Sequence, residues 1–93
     1  MSKREEFNSA LKESIKTKDT VATSTVRLML AALKDRDIAA RGHGKAEGVD
    51  EAEILSMLQS MVKQRQESAE TYKKADRPEL AEREEQEIEI IKR

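Results

Sequence analysis

The longest helical pattern of the chain lies at residues 50–74, which read DEAEILSMLQSMVKQRQESAETYKK. Apolar residues recur in it at alternating intervals of three and four, which is the period of one buried face of an α-helix. The residues of that predicted face are Ile54, Leu55, Leu58, Met61, Val62, Arg65, Ala69 and Tyr72. Asp50 precedes the pattern and Glu53 follows three residues later, which is the spacing of a helix-capping box. One helix is therefore predicted over residues 50–74.

A second helix is predicted over residues 77–92. Residues 76–79 read DRPE and repeat the capping-box spacing, with the proline in the first turn, where a helix loses no backbone donor. The predicted buried face of this helix consists of Leu80, Ala81, Glu84, Ile88 and Ile91. The short connection folds the two helices into an antiparallel pair, which brings Arg65 close to Glu84 and Glu87. A structural ion pair among these three side chains is predicted, and general acid–base work by Glu84 is the alternative.

The first half of the chain predicts two more helices, over residues 2–17 and 20–41. Ser2 and Glu5 have the capping-box spacing, and Asp19 or Thr20 can cap the next helix. The predicted buried faces are Phe7, Ala10, Leu11, Ser14 and Ile15 in the first helix, and Val21, Thr25, Leu28, Met29, Ala32 and Leu33 in the second, with Ile38 as an optional extension. All three glycines of the chain fall in the loop 42–49.

The composition agrees with this pattern and bounds the fold. Charged residues make up 40% of the 93 residues and aromatic residues 2%, which disfavours a β-sandwich or barrel. Because there is no cysteine, disulfides, thiolate nucleophiles and cysteine-ligated zinc are excluded. The predicted fold class is all-α, a single four-helix domain over residues 1–93 built from two antiparallel helical hairpins.

Basic residues are the main candidates for function, because they can neutralise phosphates. Ten basic and six acidic residues lie in 1–46, against eight and thirteen in 47–93. The predicted nucleic-acid contacts are Arg27, Lys34, Arg36, Arg41, Lys45, Lys63, Lys73, Lys74 and Arg77. Aromatic residues for base stacking are nearly absent, so backbone contact without base readout is expected. An ordinary solvated surface of mixed charge is the alternative.

No catalytic residue, metal site or cofactor is predicted. The hydroxyl residues have no base placed to activate them, and His43, the only histidine, lies between two glycines in a loop poorly organised for metal binding. No apolar run approaches the ~20 residues of a membrane helix, and the first residues lack the apolar core of a signal peptide. A cytoplasmic protein without a membrane partner is therefore expected.

A protein–protein interaction domain is the alternative function. The last predicted helix is acidic, and apolar side chains cluster at its end. Ile88, Ile90 and Ile91 are the predicted partner-binding residues, because an exposed apolar patch favours association. The oligomeric state is left open.

Several segments resemble the YqeY-like (GatB/YqeY) family. Residues 27–41, which read RLMLAALKDRDIAAR, resemble its signature, as do residues 53–55 and 61–68 and the run RPELA at 77–81. Tyr72, Glu84, Glu87, Ile88 and Ile91 complete the match, which covers essentially the whole chain in order. The resemblance implies the helical N-terminal domain of these proteins, which agrees with the four helices.

The resemblance also implies a function. This domain is similar to part of the tail of the B subunit of the tRNA-dependent amidotransferase, and a YqeY-like module occurs on some glutaminyl-tRNA synthetases. A tRNA-associated accessory module is therefore expected, with tRNA or a tRNA-processing enzyme as its partner. The family is also associated with carbon–nitrogen ligase activity that uses glutamine as amide donor. The resemblance identifies no catalytic residue for that activity in this sequence. Family members usually continue into a second, smaller helical domain, which is expected to be absent here.

Overall fold

The structure is a computed structural model and describes residues 2–93. Within that range it contains four helices and no strand: α1 (Lys3–Lys16), α2 (Thr20–Gly42), α3 (Glu51–Lys74) and α4 (Pro78–Lys92). α1 packs against α2 and α3 against α4, while α2 also contacts α3 and α4. The predicted all-α fold is confirmed, and the helix bounds lie within one residue of the predicted ones.

Three of the predicted helix starts are capped by side chains. The Ser2 hydroxyl accepts a bond from the Glu5 N–H at 3.2 Å, which caps α1, and donates to the Glu5 carboxylate at 3.1 Å. Asp50 accepts from the Glu53 N–H at 2.8 Å. Asp19, rather than Thr20, caps α2. Such caps each contribute about 1 kcal/mol, so local sequence specifies where these helices begin.

The capping box predicted at residues 76–79 is wrong. Asp76 adopts a left-handed conformation with φ of 59° and closes α3, so it does not cap α4. Its N–H donates to the Lys73 carbonyl at 3.2 Å, and the Arg77 N–H donates to the Tyr72 carbonyl at 2.8 Å, which is a Schellman motif. Arg77 occupies the cap position of α4 without a side-chain bond, and Pro78 is the first helical residue.

The same motif ends α1 and α2, at Lys18 with φ of 57° and at Gly44 with φ of 91°. In each case the next residue reaches back to the helix, through bonds from the Asp19 N–H to the Ser14 carbonyl and from the Lys45 N–H to the Ala40 carbonyl, both at 3.0 Å. The ends of α1 and α3 reverse the chain within three residues and therefore produce two antiparallel hairpins, α1–α2 and α3–α4.

The core lies where the two hairpins face each other. Its buried residues are Phe7, Val26, Met29, Leu33, Val49, Ile54, Met57, Leu58, Met61 and Ile91. Burying each large apolar side chain contributes roughly 1.5–3 kcal/mol. The long helix α3 supplies four of these residues, which agrees with its contacts to both α2 and α4.

The structure corrects the predicted buried faces at several positions. Ile15, Leu28, Ile38 and Leu55 are exposed, although each was assigned to an apolar face. In their place, Val26 and Met57 are buried. Consecutive helix residues point about 100° apart, so a small rotation of the helix exchanges one flank of an apolar stripe for the other.

Candidate functional site

The outer face of α2 carries a row of basic side chains. Arg27, Lys34 and Arg41 are all exposed and are spaced seven residues apart, so they lie on one side of the helix at intervals of about 10 Å. Within residues 2–93 none of the three forms an ion pair. The Arg41 Nε donates only to the Ala46 carbonyl, at 3.3 Å. We call these three residues the α2 basic stripe.

Three other predicted phosphate contacts are engaged with carboxylates. The bonds join Lys45 to Glu53 at 2.5 Å, Lys73 to Glu85 at 2.8 Å and Arg77 to Glu79 at 2.7 Å. The hydrogen bond that Lys45 donates to Glu53 raises the pKa of Lys45, and the one that Lys73 donates to Glu85 raises the pKa of Lys73. Their charge is partly neutralised at short range, so they attract phosphates less than an unpaired cation does.

The remaining three, Arg36, Lys63 and Lys74, are exposed but do not extend the stripe. Arg36 lies two positions from Lys34 and therefore points about 200° away around α2. Lys63 and Lys74 belong to α3. The structure thus brings together Arg27, Lys34 and Arg41. Of the other six predicted residues, Arg36 points to another side of α2, Lys63 and Lys74 lie on α3, and Lys45, Lys73 and Arg77 are paired with carboxylates.

A partly buried ion pair that the sequence reasoning missed anchors the end of the loop 42–49. The Arg4 guanidinium binds the Asp37 carboxylate with two bonds, of 2.5 and 2.7 Å. The Val49 N–H donates to the same carboxylate at 3.0 Å, and Arg4 also donates to the Val49 carbonyl at 2.9 Å. A Cβ added at Gly48 would fall on the Asp37 carboxylate. These contacts join α1, α2 and the residues before α3.

The charge state of Asp37 follows from this geometry. The hydrogen bonds from Arg4 lower the pKa of Asp37 to about 2, against burial, and the Val49 N–H contributes to the decrease. The carboxylate is therefore ionised at neutral pH although Asp37 is only 7% exposed. The sequence could have indicated that Asp37 is buried, because Asp37 lies four residues after Leu33 and therefore on the buried side of α2.

A polar interface lies between α3 and α4. Arg65 Nε is 3.4 Å from Glu87 Oε1, both side chains are largely buried, and Arg65 also donates to the Met61 carbonyl at 3.1 Å. Glu84 has no hydrogen bond or ion pair within residues 2–93. Burial, and then the neighbouring Glu87 carboxylate, raise the pKa of Glu84, and the Arg65 charge opposes that increase.

The predicted partner-binding isoleucines are placed differently from one another. Ile91 is 4% exposed and belongs to the core, so it is not on a free surface. Ile88 and Ile90 are half-buried. Ile91 is the isoleucine that the end of α4 turns inward, where it lies with Phe7 of α1 and Leu58 of α3.

Residues 2–93 contain neither a metal-binding cluster nor a membrane-spanning helix. No group of three or more His, Asp or Glu side chains has an arrangement that could hold a metal ion. None of the four helices found in that range is long and apolar enough to cross a membrane.

These features define the class of protein: a small all-α domain of two helical hairpins with a basic row on an outer helix. The chain belongs to the Yqey-like protein family, whose model matches residues 4–93. The resemblance drawn from the segment at residues 27–41 and from the segments that follow it is thereby confirmed.

Among curated proteins the chain is similar to "Altered inheritance of mitochondria protein 41, mitochondrial" of several organisms. Identity is 37% over 82 residues with the Lachancea thermotolerans protein and 33% over 81 residues with that of Vanderwaltozyma polyspora. It is 30% over 83 residues with that of Saccharomyces cerevisiae. The matches cover 87–89% of this chain but 42–43% of each relative. The chain therefore spans about two fifths of the length of these relatives.

The expectation of a cytoplasmic location is wrong on this comparison, because the relatives are named as mitochondrial proteins. That expectation rested on missing features, namely a signal peptide and a membrane segment. Those absences do not identify a compartment.

Proposed function

We propose that this domain is a tRNA-associated accessory module that holds the phosphate backbone through the α2 basic stripe. The observation that carries the proposal is the row of Arg27, Lys34 and Arg41, exposed and without ion pairs among residues 2–93. The similarity of the family to the tail of the tRNA-dependent amidotransferase subunit suggests tRNA as the nucleic acid. The names of the relatives support a mitochondrial setting for this role.

The stripe supports backbone contact of modest strength. Three cations spread over about 21 Å of helix can each neutralise one phosphate. A contact of this kind gives a log–log salt slope of roughly −2 to −3. Base stacking is not available on this face, because Phe7 is buried and Tyr72 is half-buried away from α2. The affinity of the domain for tRNA is therefore expected to depend on charge and shape. Such binding is compatible with an accessory module that acts together with another RNA-binding domain.

Fluorescence anisotropy against purified tRNA at several salt concentrations tests the proposal. The double variant Arg27→Gln/Lys34→Gln should weaken binding and reduce the salt slope by about two, one unit for each lost phosphate contact. The matched control is Lys12→Gln/Lys16→Gln, which removes the same charge from exposed, unpaired positions on α1. The proposal is rejected if both pairs of substitutions weaken binding equally, or if the native domain binds with no salt dependence.

A further inference from the structure

A cleft of about 310 Å³ lies between the last turns of α2 and the first turn of α3. Every residue that lines it falls within residues 36–53, so one continuous segment of the chain builds all of its walls. We call it the α2–α3 cleft. Binding pockets for small ligands begin at about this volume, since they span roughly 300–1,000 Å³. The cleft is therefore large enough to accept one nucleobase with its sugar.

The floor of the α2–α3 cleft is apolar and fixed in position. It consists of Ala39, Ala40 and Val49, and the two alanines carry only methyl groups, which leaves space above them. The Val49 N–H donates to Asp37 at 3.0 Å, and the Val49 carbonyl accepts from Arg4 at 2.9 Å. The same ion pair that anchors the loop therefore holds the floor of the cleft in place. A preformed apolar floor favours a flat apolar group.

The rim of the α2–α3 cleft is polar. It consists of the exposed side chains of Arg36 and His43 together with the ion pair of Lys45 and Glu53, whose charged atoms are 2.5 Å apart. Arg36 forms no ion pair within residues 2–93. Unpaired RNA bases stack on histidine rings and on the guanidinium planes of arginine. The rim thus combines a ring for stacking, a free cation, and a donor beside an acceptor.

The loop 42–49 connects this cleft to the α2 basic stripe. Arg41, the last residue of the stripe, donates to the carbonyl of Ala46, which directly follows Lys45 of the rim. An RNA backbone that follows the stripe towards the end of α2 therefore arrives at the loop that forms one wall of the cleft. Arg36 and Lys45, two predicted phosphate contacts that lie outside the stripe, line this cleft together.

We propose that the α2–α3 cleft holds one unpaired nucleotide of the RNA that the stripe binds. The base lies on the apolar floor and stacks on His43, while Arg36 meets the phosphate of that nucleotide. A base inside a duplex cannot enter, because both of its faces are covered by its neighbours in the stack. Since every base has a flat face, the cleft selects an unpaired position, such as a loop or a bulge, rather than a particular base. This inference rests on the proposed function and specifies the kind of RNA position that it requires.

Anisotropy titration of the domain with two RNAs tests this inference. One is a fluorescein-labelled RNA duplex of about 14 base pairs with a single unpaired adenosine in the middle, and the other is the same duplex without that adenosine. The native domain should bind the bulged duplex at least fivefold more tightly than the paired one, because only the bulged duplex offers a base for stacking. We call this ratio of affinities the bulge preference.

Three substitutions locate the bulge preference, each with a control. His43→Ala should reduce it to less than twofold, whereas His43→Phe, which keeps a ring for stacking, should retain it. Ala39→Leu fills the cleft without a change of charge and should also remove the preference, whereas Ala52→Leu, at an exposed position of α3 outside the cleft, should not. Arg36→Gln should weaken the bulged duplex more than the paired one, whereas Lys12→Gln, which removes the same charge from α1, should not. Circular dichroism verifies that each variant is folded.

Two results would overturn this inference while leaving the stripe as an RNA contact. They are equal affinity of the native domain for the two duplexes, and a bulge preference that His43→Ala and Ala39→Leu leave intact. Absence of binding to either duplex would instead reject the proposed function. Adenosine monophosphate then tests the cleft alone: shifts of the NMR signals of His43 and Val49 would support a nucleotide site there, and unchanged signals would overturn it.

Discussion

Removing the Asp37 carboxylate is expected to destabilise the domain strongly. In Asp37→Ala, the buried Val49 N–H loses its acceptor and Arg4 loses both bonds to the carboxylate. An unsatisfied buried donor costs about 1–3 kcal/mol, and each bond to a charged group contributes about 1.5–3 kcal/mol. The Arg4 side chain is 34% exposed, so water compensates part of that loss. We therefore expect the free energy of unfolding to fall by about 2–4 kcal/mol.

Thermal unfolding followed by circular dichroism at pH 7 measures this change. For a domain of this size each kcal/mol lowers Tm by roughly 4–8 °C, so Asp37→Ala should lower it by about 8–32 °C. Asp35→Ala is the control, because it removes the same charge from an exposed position on the same helix. Its effect should stay within about 0.5 kcal/mol. Equal Tm values for the two variants would refute the assignment of Asp37 as the anchor of the loop.

The loss of stability in Asp37→Ala should depend on pH. Arg4 lowers the pKa of Asp37 from 3.8 to about 2, so between these values the unfolded chain binds more protons than the folded domain. The stabilisation is present above about pH 4 and is lost as the pH falls towards 2, which amounts to about 2.5 kcal/mol. The difference in Tm between the native domain and Asp37→Ala should therefore shrink between pH 5 and pH 2.5. A difference in Tm that stays constant over this pH range would show that the ionised Asp37 carboxylate does not contribute to stability.

The other predictions concern single positions and use the same unfolding assay. Gly48→Ala should cost about 2–3 kcal/mol, because its methyl group overlaps the buried carboxylate, whereas Gly44→Ala, with open space around it, should cost about 1 kcal/mol. Arg65→Ala should destabilise by about 2–3 kcal/mol and the exposed Lys73→Ala by less than about 0.5 kcal/mol, so equal losses would contradict the register of α3 and α4. Burial raises the pKa of Glu84, so its ionised form destabilises the fold above the ordinary pKa. Glu84→Gln should therefore leave Tm at pH 7 unchanged or higher, and a clear decrease would show a favourable ionic role for Glu84.

Local signals predicted the helices and their order. The caps at Ser2, Asp19 and Asp50 each involve groups within three residues of one another, so the sequence contains the whole interaction. The loop at residues 42–49 was predictable because glycine adopts the positive φ that Gly44 and Gly48 require. Asp76 misled the prediction because its left-handed conformation satisfies the end of α3, which competes with capping α4.

The candidate sites depended more on how the helices pack. Nine basic residues were predicted to contact phosphates. Only the position of each side chain around its helix, together with its exposure and ion pairs, showed that Arg27, Lys34 and Arg41 form one row. Leu55 is likewise 50% exposed while the adjacent Ile54 is fully buried, and this difference depends on how α3 is rotated in the packed domain.

Sequence alone determined the four helices, the two hairpins and the family, because capping bonds, turns and the 3.6-residue period act over short separations along the chain. Only the tertiary structure decided which flank of each apolar stripe is buried, and that Arg4 binds Asp37 across 33 positions. Such a pairing forms between helices, and its strength depends on the burial that packing creates. The residues that anchor the loop and the basic residues that share one side of α2 are therefore visible only in three dimensions.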